Sequence, residues 1–239
     1  MLTKSISISA VTLSALLSVA TTDANTTTDF QTWGNVTATG SLGSINADWK
    51  KYKYWLEGQA RFGNETSQFS QGMVRTGLGY TLLDNDMDKL SLWLGYAWIP
   101  TEEPFTKNAF DEHRIWQQLL WSGKLSFGSL TSRSRLEQRF LPTGGDVGWR
   151  YRQLLKISVP MPFAPVFSLV ASDEFFANIN DTNWGANDGF DQNRGFVGIG
   201  YNFNKNINTE IGYMNQYINR TNLPNLMDHI LSVNLYLNY

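Results

Sequence analysis

The chain contains no cysteine and only two histidines. Without cysteine there is no disulfide framework, no thiolate nucleophile and no cysteine-based zinc site. A chain free of thiols also suits export into an oxidising compartment. Neither sign of charge dominates: 19 Lys and Arg against 21 Asp and Glu leave a net charge of −2, which argues against generic nucleic-acid binding. Beyond the first two dozen residues, no apolar run approaches the roughly 20 residues that a transmembrane helix needs. Mean hydropathy is negative, so bulk composition does not single out a membrane protein. A β-barrel escapes that test, because only every second residue faces lipid. Neither a Gly-x-Ser-x-Gly nucleophile elbow nor a His-Glu-x-x-His zinc motif is present.

Aromatic residues are abundant at 14%, with nine Trp, ten Tyr and fourteen Phe. The start reads as a signal peptide over residues 1–24. Lys4 supplies its positive end, an uncharged apolar stretch runs from Ile6 to Val19, and small residues place cleavage after Ala20 or Ala24. Residues 25–239 then read as a single β-barrel domain exported to the outer membrane of a Gram-negative cell.

From residue 31 onward the period is two rather than 3.6. Eleven alternating segments lie near 31–40, 51–62, 71–83, 89–99, 111–122, 127–140, 148–159, 165–177, 191–203, 207–218 and 228–239, separated by Gly/Asn/Asp/Pro clusters. In the last segment Leu231, Val233, Leu235, Leu237 and Tyr239 share one face, and Ser232, Asn234, Tyr236 and Asn238 share the other. A soluble sandwich alternates too, but its strands average five or six residues. Segments of ten or more suit a strand tilted across about 25 Å of lipid. Aromatics near segment ends, among them Trp33, Tyr52, Phe62, Tyr80, Trp98, Trp149 and Tyr217, predict an interfacial girdle. Connections alternate between short and long, as periplasmic turns and external loops do. The C-terminus then falls in the periplasm, where the strand ending in Tyr239 resembles the signal read by the barrel-assembly machinery. The fold class is an all-β, antiparallel up-and-down transmembrane barrel of 10–12 strands. Single-chain bacterial barrels have even strand numbers, so eleven segments resolve to ten, with 31–40 off the wall, or to twelve, with a short strand over residues 26–30. Twelve is preferred.

The predicted inner faces carry eleven cations: Lys53, Lys156 and nine arginines, namely 61, 75, 114, 133, 135, 139, 150, 152 and 194. They carry five acids, Glu57, Glu112, Glu137, Glu174 and Glu210. Such an excess makes a lumen attractive to anions. The same residues can instead form a structural ladder that fills a narrow barrel. Arg133, Arg135, Glu137 and Arg139, facing Arg150 and Arg152, are the lumen-binding candidates, suited to an anionic headgroup or phosphate. His113, with Asp111 and Glu112 beside it, is a weaker catalytic candidate at the outer rim. A hydrolase there needs a nearby serine, and Ser132 and Ser134 fall on the opposite, lipid-facing side of their strand. Residues 84–88 (DNDMD) begin like a calcium loop but lack its glycine and final glutamate, so they read as a polar turn. The segment 178–190, with Asp181, Trp184 and Asp188, is long enough for an external cation or sugar contact. Nothing calls for a cofactor or a resident metal.

Residues 54–62 (YWLEGQARF), 92–100 (LWLGYAWIP), 110–118 (FDEHRIWQQ), 135–139 (RLEQR), 148–152 (GWRYR) and 229–235 (HILSVNL) together resemble the domain-of-unknown-function family 2490. The resemblance extends from about Phe30 to Tyr239. It implies an outer-membrane barrel and supplies neither an activity nor catalytic residues. Three readings follow: a non-enzymatic barrel, either a narrow channel for small anionic solutes or a structural protein; a lipid- or lipopolysaccharide-modifying hydrolase; and a soluble periplasmic barrel. The expected partners are outer-membrane lipid and lipopolysaccharide.

Overall fold

The computed structural model describes residues 26–221 and 223–239, so the signal-peptide assignment lies outside the described residues. Eleven strands follow one another around a closed barrel: β1 (Thr26–Ser41), β2 (Tyr52–Gly63), β3 (Gln68–Asp84), β4 (Asp88–Thr101), β5 (Phe110–Leu125), β6 (Gly128–Phe140), β7 (Gly148–Met161), β8 (Ala164–Asn178), β9 (Gly189–Asn202), β10 (Ile207–Ile218) and β11 (Asn225–Asn238). Strands of 12–17 residues exceed the ~9–11 that a tilted membrane strand requires.

The all-β up-and-down barrel and its 10–12 strands are as expected, but the count is eleven rather than the preferred twelve. Residues 26–30 form no strand of their own. They lengthen β1, which pairs with β11 from Thr26↔Asn225 to Thr39↔Asn238. That pair is parallel while every other pair is antiparallel. Parity is the reason: in an up-and-down barrel with an odd number of strands, the first and last run the same way. Closure therefore needs one parallel ladder, which places the start of β1 and the end of β11 at opposite ends of the barrel.

The two ends differ. Connections between β3 and β4, β5 and β6, β7 and β8, and β9 and β10 take two to four residues, and Tyr239 lies at that short-turn end. Two 3-10 turns, Leu42–Ser44 and Ala47–Trp49, occupy the longer β1–β2 link there. At the other end, residues 102–109, 141–147 and 179–188 form longer loops, and residues 219–221 and 223–224 lie in the β10–β11 connection. The β2–β3 turn at this end holds Asn64, Glu65 and Thr66 at φ of 52°, 53° and 66°. These left-handed conformations are costly for residues with a Cβ. The Asp29 carboxylate stabilises them by accepting from the backbone N–H groups of Asn64 (3.1 Å) and Glu65 (3.0 Å).

The barrel is inside out relative to a soluble protein. Leu78, Leu94, Leu169 and Val197 stand on the outer wall at 57–66% exposure, while Arg135 and Glu137 inside are at most 1% exposed. Period two produces this directly, because successive Cβ atoms point to opposite faces of the sheet. An apolar cluster shares the interior with the charges. Trp55, Trp93 and Trp116 meet edge-on at 5.4 and 6.1 Å, beside Met73, Ala97 and Ile99. Glycine makes the room: a Cβ on Gly95 would lie 2.2 Å from the Thr76 carbonyl oxygen and 2.3 Å from the Trp116 ring. Trp33, expected in the outer girdle, also turns inward and is 8% exposed. Its neighbours Gln31 and Thr37 share the inner face of β1, which settles the phase of that strand.

Candidate functional site

The inner wall from β5 to β9 carries a continuous lattice of ion pairs. Glu137 stands at its centre and accepts from Arg150 (2.8 Å) and Arg152 (2.7 Å). Glu174 accepts from Arg152 (2.7 Å) and Arg133 (2.6 Å). Glu112 accepts from Arg114 (2.7 Å) and Arg139 (2.5 Å). Arg135 donates twice to the Gln118 amide oxygen and lies over the Trp116 ring. Glu57 pairs with Arg75 at 2.7 Å, and Glu210 with Lys156 at 2.7 Å. All six lumen-binding candidates thus point inward and come together, but each is already engaged inside the lattice. Charges withdrawn from water need such partners, since an isolated one costs several kcal/mol.

Sequence reasoning missed three inner carboxylates: Asp29 on β1, Asp191 and Asp228. The register between β8 and β9 slips, with Ala177↔Phe190 followed by Phe176↔Gln192, leaving Asp191 as the extra residue of a bulge. Its side chain then reaches Arg150 at 3.0 Å. Asp228 is buried on β11, which begins three residues earlier than its alternation suggested.

A cavity of about 800 Å³ fills the lumen. Its lining runs from rim residues such as Thr28, Asn64, Phe105 and Arg220, at the long-loop end, down to Thr37, Lys156 and Tyr236. Ten cationic side chains and seven carboxylates line it, so its balance is positive although the whole chain is slightly acidic. Three of these cations form no ion pair among the described residues: Arg220 at the rim, which donates to the Pro224 carbonyl oxygen, and Arg61 and Arg194. Arg61 donates to the Gln71 (2.6 Å) and Gln59 (3.0 Å) amide oxygens and has no carboxylate partner among the described residues. Arg194 has no hydrogen-bond partner at all among them; its guanidinium lies 5.0 Å from the Trp33 ring centroid and 4.7 Å from that of Phe176. Arg61 stacks on the same Trp33 ring at 3.9 Å.

The outer-rim residues do not assemble. Glu112 points into the lumen, whereas Asp111 and His113 point outward from the same strand, so a sheet separates Glu112 from His113. His113 Nδ1 and the Tyr96 hydroxyl share a hydrogen bond, and the rings stack. Tyr213 and His229 repeat that arrangement between β10 and β11. Ser134 bonds to Gln153, and Gln153 in turn donates to Ser132. Residues 84–88 form a turn in which the Asn85 side chain accepts from the backbone of Met87 and Asp88. In the β8–β9 loop, Asp181 accepts from the Asp188 backbone, and Trp184 packs on Gly144 and Gly148 while covering Arg139. These contacts tie the β8–β9 and β6–β7 loops together. No group of three His, Asp or Glu residues able to hold a metal occurs among the described residues.

Residues 30–227 match the family model described as a protein of unknown function, DUF2490. The chain belongs to this family. It is also 37% identical, over 215 residues and 88% of each chain, to an uncharacterized protein of Methylorubrum extorquens. The DUF2490 match covers every strand except the first residues of β1 and most of β11, so the lattice and both stacked arginines lie inside it.

Proposed function

We propose that this DUF2490 protein is an outer-membrane β-barrel whose narrow lumen admits small anions from its long-loop end. The observation that carries the reading is the inversion of polarity: a closed barrel with an apolar outer wall and buried charges inside. In water such a wall would expose an apolar surface far larger than soluble monomers tolerate. In lipid it is the required surface, and closure leaves no unpaired strand edge. Aromatic residues near both ends of the wall, such as Tyr52 and Tyr80 at one and Trp98 and Trp149 at the other, suit the two interfaces. The positive cavity supports the preference for anions, because a charged, low-dielectric passage concentrates counter-ions. On this reading the short-turn end and Tyr239 face the periplasm, where the assembly machinery acts on β11. Lipid and lipopolysaccharide then contact the outer wall.

Membrane fractionation with gel migration before and after boiling tests the location. A membrane-bound band that runs faster unboiled is expected, and a soluble, non-shifting band overturns the reading. Planar-bilayer recordings under a KCl gradient test the lumen. A reversal potential of the sign that marks chloride preference is expected. Cation preference, or a silent bilayer, removes the channel and leaves a structural barrel.

A further inference from the structure

We infer that Arg61 and Arg194, both stacked against Trp33 inside the lumen, form a binding site for a small oxyanion, a carboxylate or a phosphate. This rests on the lumen being open to solute, as proposed above. Both guanidinium carbons lie within 5.0 Å of one ring centroid, which keeps the two like charges inside roughly 10 Å, one Debye length at 0.1 M salt. An aromatic face steadies a guanidinium without using any of its N–H donors. The Nε atoms of both arginines are buried and have no hydrogen-bond partner among the described residues; Arg75 and Arg133 share that feature but, unlike these two, also form ion pairs. Buried donors are otherwise nearly always satisfied. The carboxylates nearest Arg194 are committed elsewhere: Glu174, directly across from it on β8, to Arg133 and Arg152, and Asp191 on β9 to Arg150, while Glu210 on β10 pairs with Lys156. Asp228 is buried on β11 but forms no ion pair with either arginine among the described residues. Both arginines line the 800 Å³ cavity, whose size falls in the range of small-molecule sites. The free donors of Arg194, beside an Arg61 that donates only to neutral amides, match an anion that offers two or more oxygens, the geometry of bidentate recognition.

The geometry separates this role from a structural one. If Arg194 held the barrel together, its loss would destabilise the fold. If it is a cation without an ion pair of its own, kept for a ligand, Arg194→Gln leaves the barrel as stable or more stable and weakens binding. The full chain in detergent is titrated calorimetrically with inorganic phosphate and, separately, with succinate, and its gel shift is followed on heating. Saturable binding of at least one probe is expected, reduced tenfold or more in Arg194→Gln and in Arg61→Gln, with the temperature of the gel shift unchanged or raised in Arg194→Gln. The probe that binds tells phosphate from carboxylate. Trp33→Phe keeps a ring under both arginines and is expected to retain binding, which guards against a variant that fails to fold. Failure of the wild type to bind either probe overturns the site, as does unchanged binding in Arg194→Gln or a lowered shift temperature. Binding in a protein that is silent in bilayers removes the channel and leaves the site standing. Chloride preference that survives with unchanged binding in Arg194→Gln does the reverse.

Discussion

Two walls of one lumen carry the same side chain to different ends. From β5 to β8, Arg133, Arg139, Arg150 and Arg152 each meet a carboxylate at 3.0 Å or less, and Glu137 and Glu174 each serve two of them. On β2 and β9, Arg61 and Arg194 meet aromatic faces and amides instead. Charge and inward direction are the same in both, so neither decides the role. What differs is whether the facing residue has a free carboxylate: Arg61 stands between Trp33 and Gln71, and Arg194 stands opposite Glu174, which is already taken by Arg133 and Arg152. A paired arginine is a structural element that resists removal of its partner. Stacked on tryptophan, Arg194 keeps its N–H donors free among the described residues, and Arg61 gives two of its own only to neutral amide oxygens.

Because the chain has no cysteine, single-cysteine labelling is clean. On intact cells Thr28→Cys and Lys107→Cys, both exposed at the long-loop end, are expected to react with an impermeant maleimide, and Asp86→Cys at the short-turn end is not. The reverse pattern inverts the proposed orientation. On the paired wall, Glu137→Ala leaves Arg150 and Arg152 short of their shared partner. A loss of about 3–5 kcal/mol is expected, read as a lowered midpoint in denaturant or heat. A near-neutral result would place the lattice's stability elsewhere.

Glycine substitutions sharpen the contrast between walls at a smaller scale. Gly95→Ala drives a Cβ into the Thr76 carbonyl and Trp116, so a cost of at least ~1–3 kcal/mol is expected from overpacking. Gly58→Ala, where nothing lies within 4 Å, is expected to stay within about 0.5 kcal/mol of wild type. Equal effects at the two sites would contradict the packing described for the tryptophan cluster. The smallest effect belongs to salt. Oxyanion binding at Arg61 and Arg194 is expected to weaken as KCl rises from ~0.05 to ~0.5 M, because salt screens the attraction between the anion and the two guanidinium groups. Binding indifferent to salt would point to a site that does not depend on them.

Much of the barrel was legible in the sequence. The alternation Leu231, Val233, Leu235, Leu237 against Ser232, Asn234, Tyr236 assigned faces correctly, and so did the inward run Arg133, Arg135, Glu137, Arg139. Trp33 was misplaced because an indole suits both an interface and a cation-lined lumen; its flanking Gln31 and Asn35 were the signal that it faces inward. His113 with Glu112 looked like a pair only because they are adjacent in the chain, and adjacency in a strand means opposite faces.

The sequence alone determined the strands, their two faces and the polarity of the lumen, because side-chain direction in a strand is a local property with period two. Only the tertiary structure decided the parallel closure of β1 on β11, the inward turn of Asp191 at a bulge, and which arginines find an acid. Partners such as Arg133 and Glu174 lie 41 positions apart and meet through the register of two intervening ladders. Register and closure are set by the whole ring of strands, so no local pattern records them.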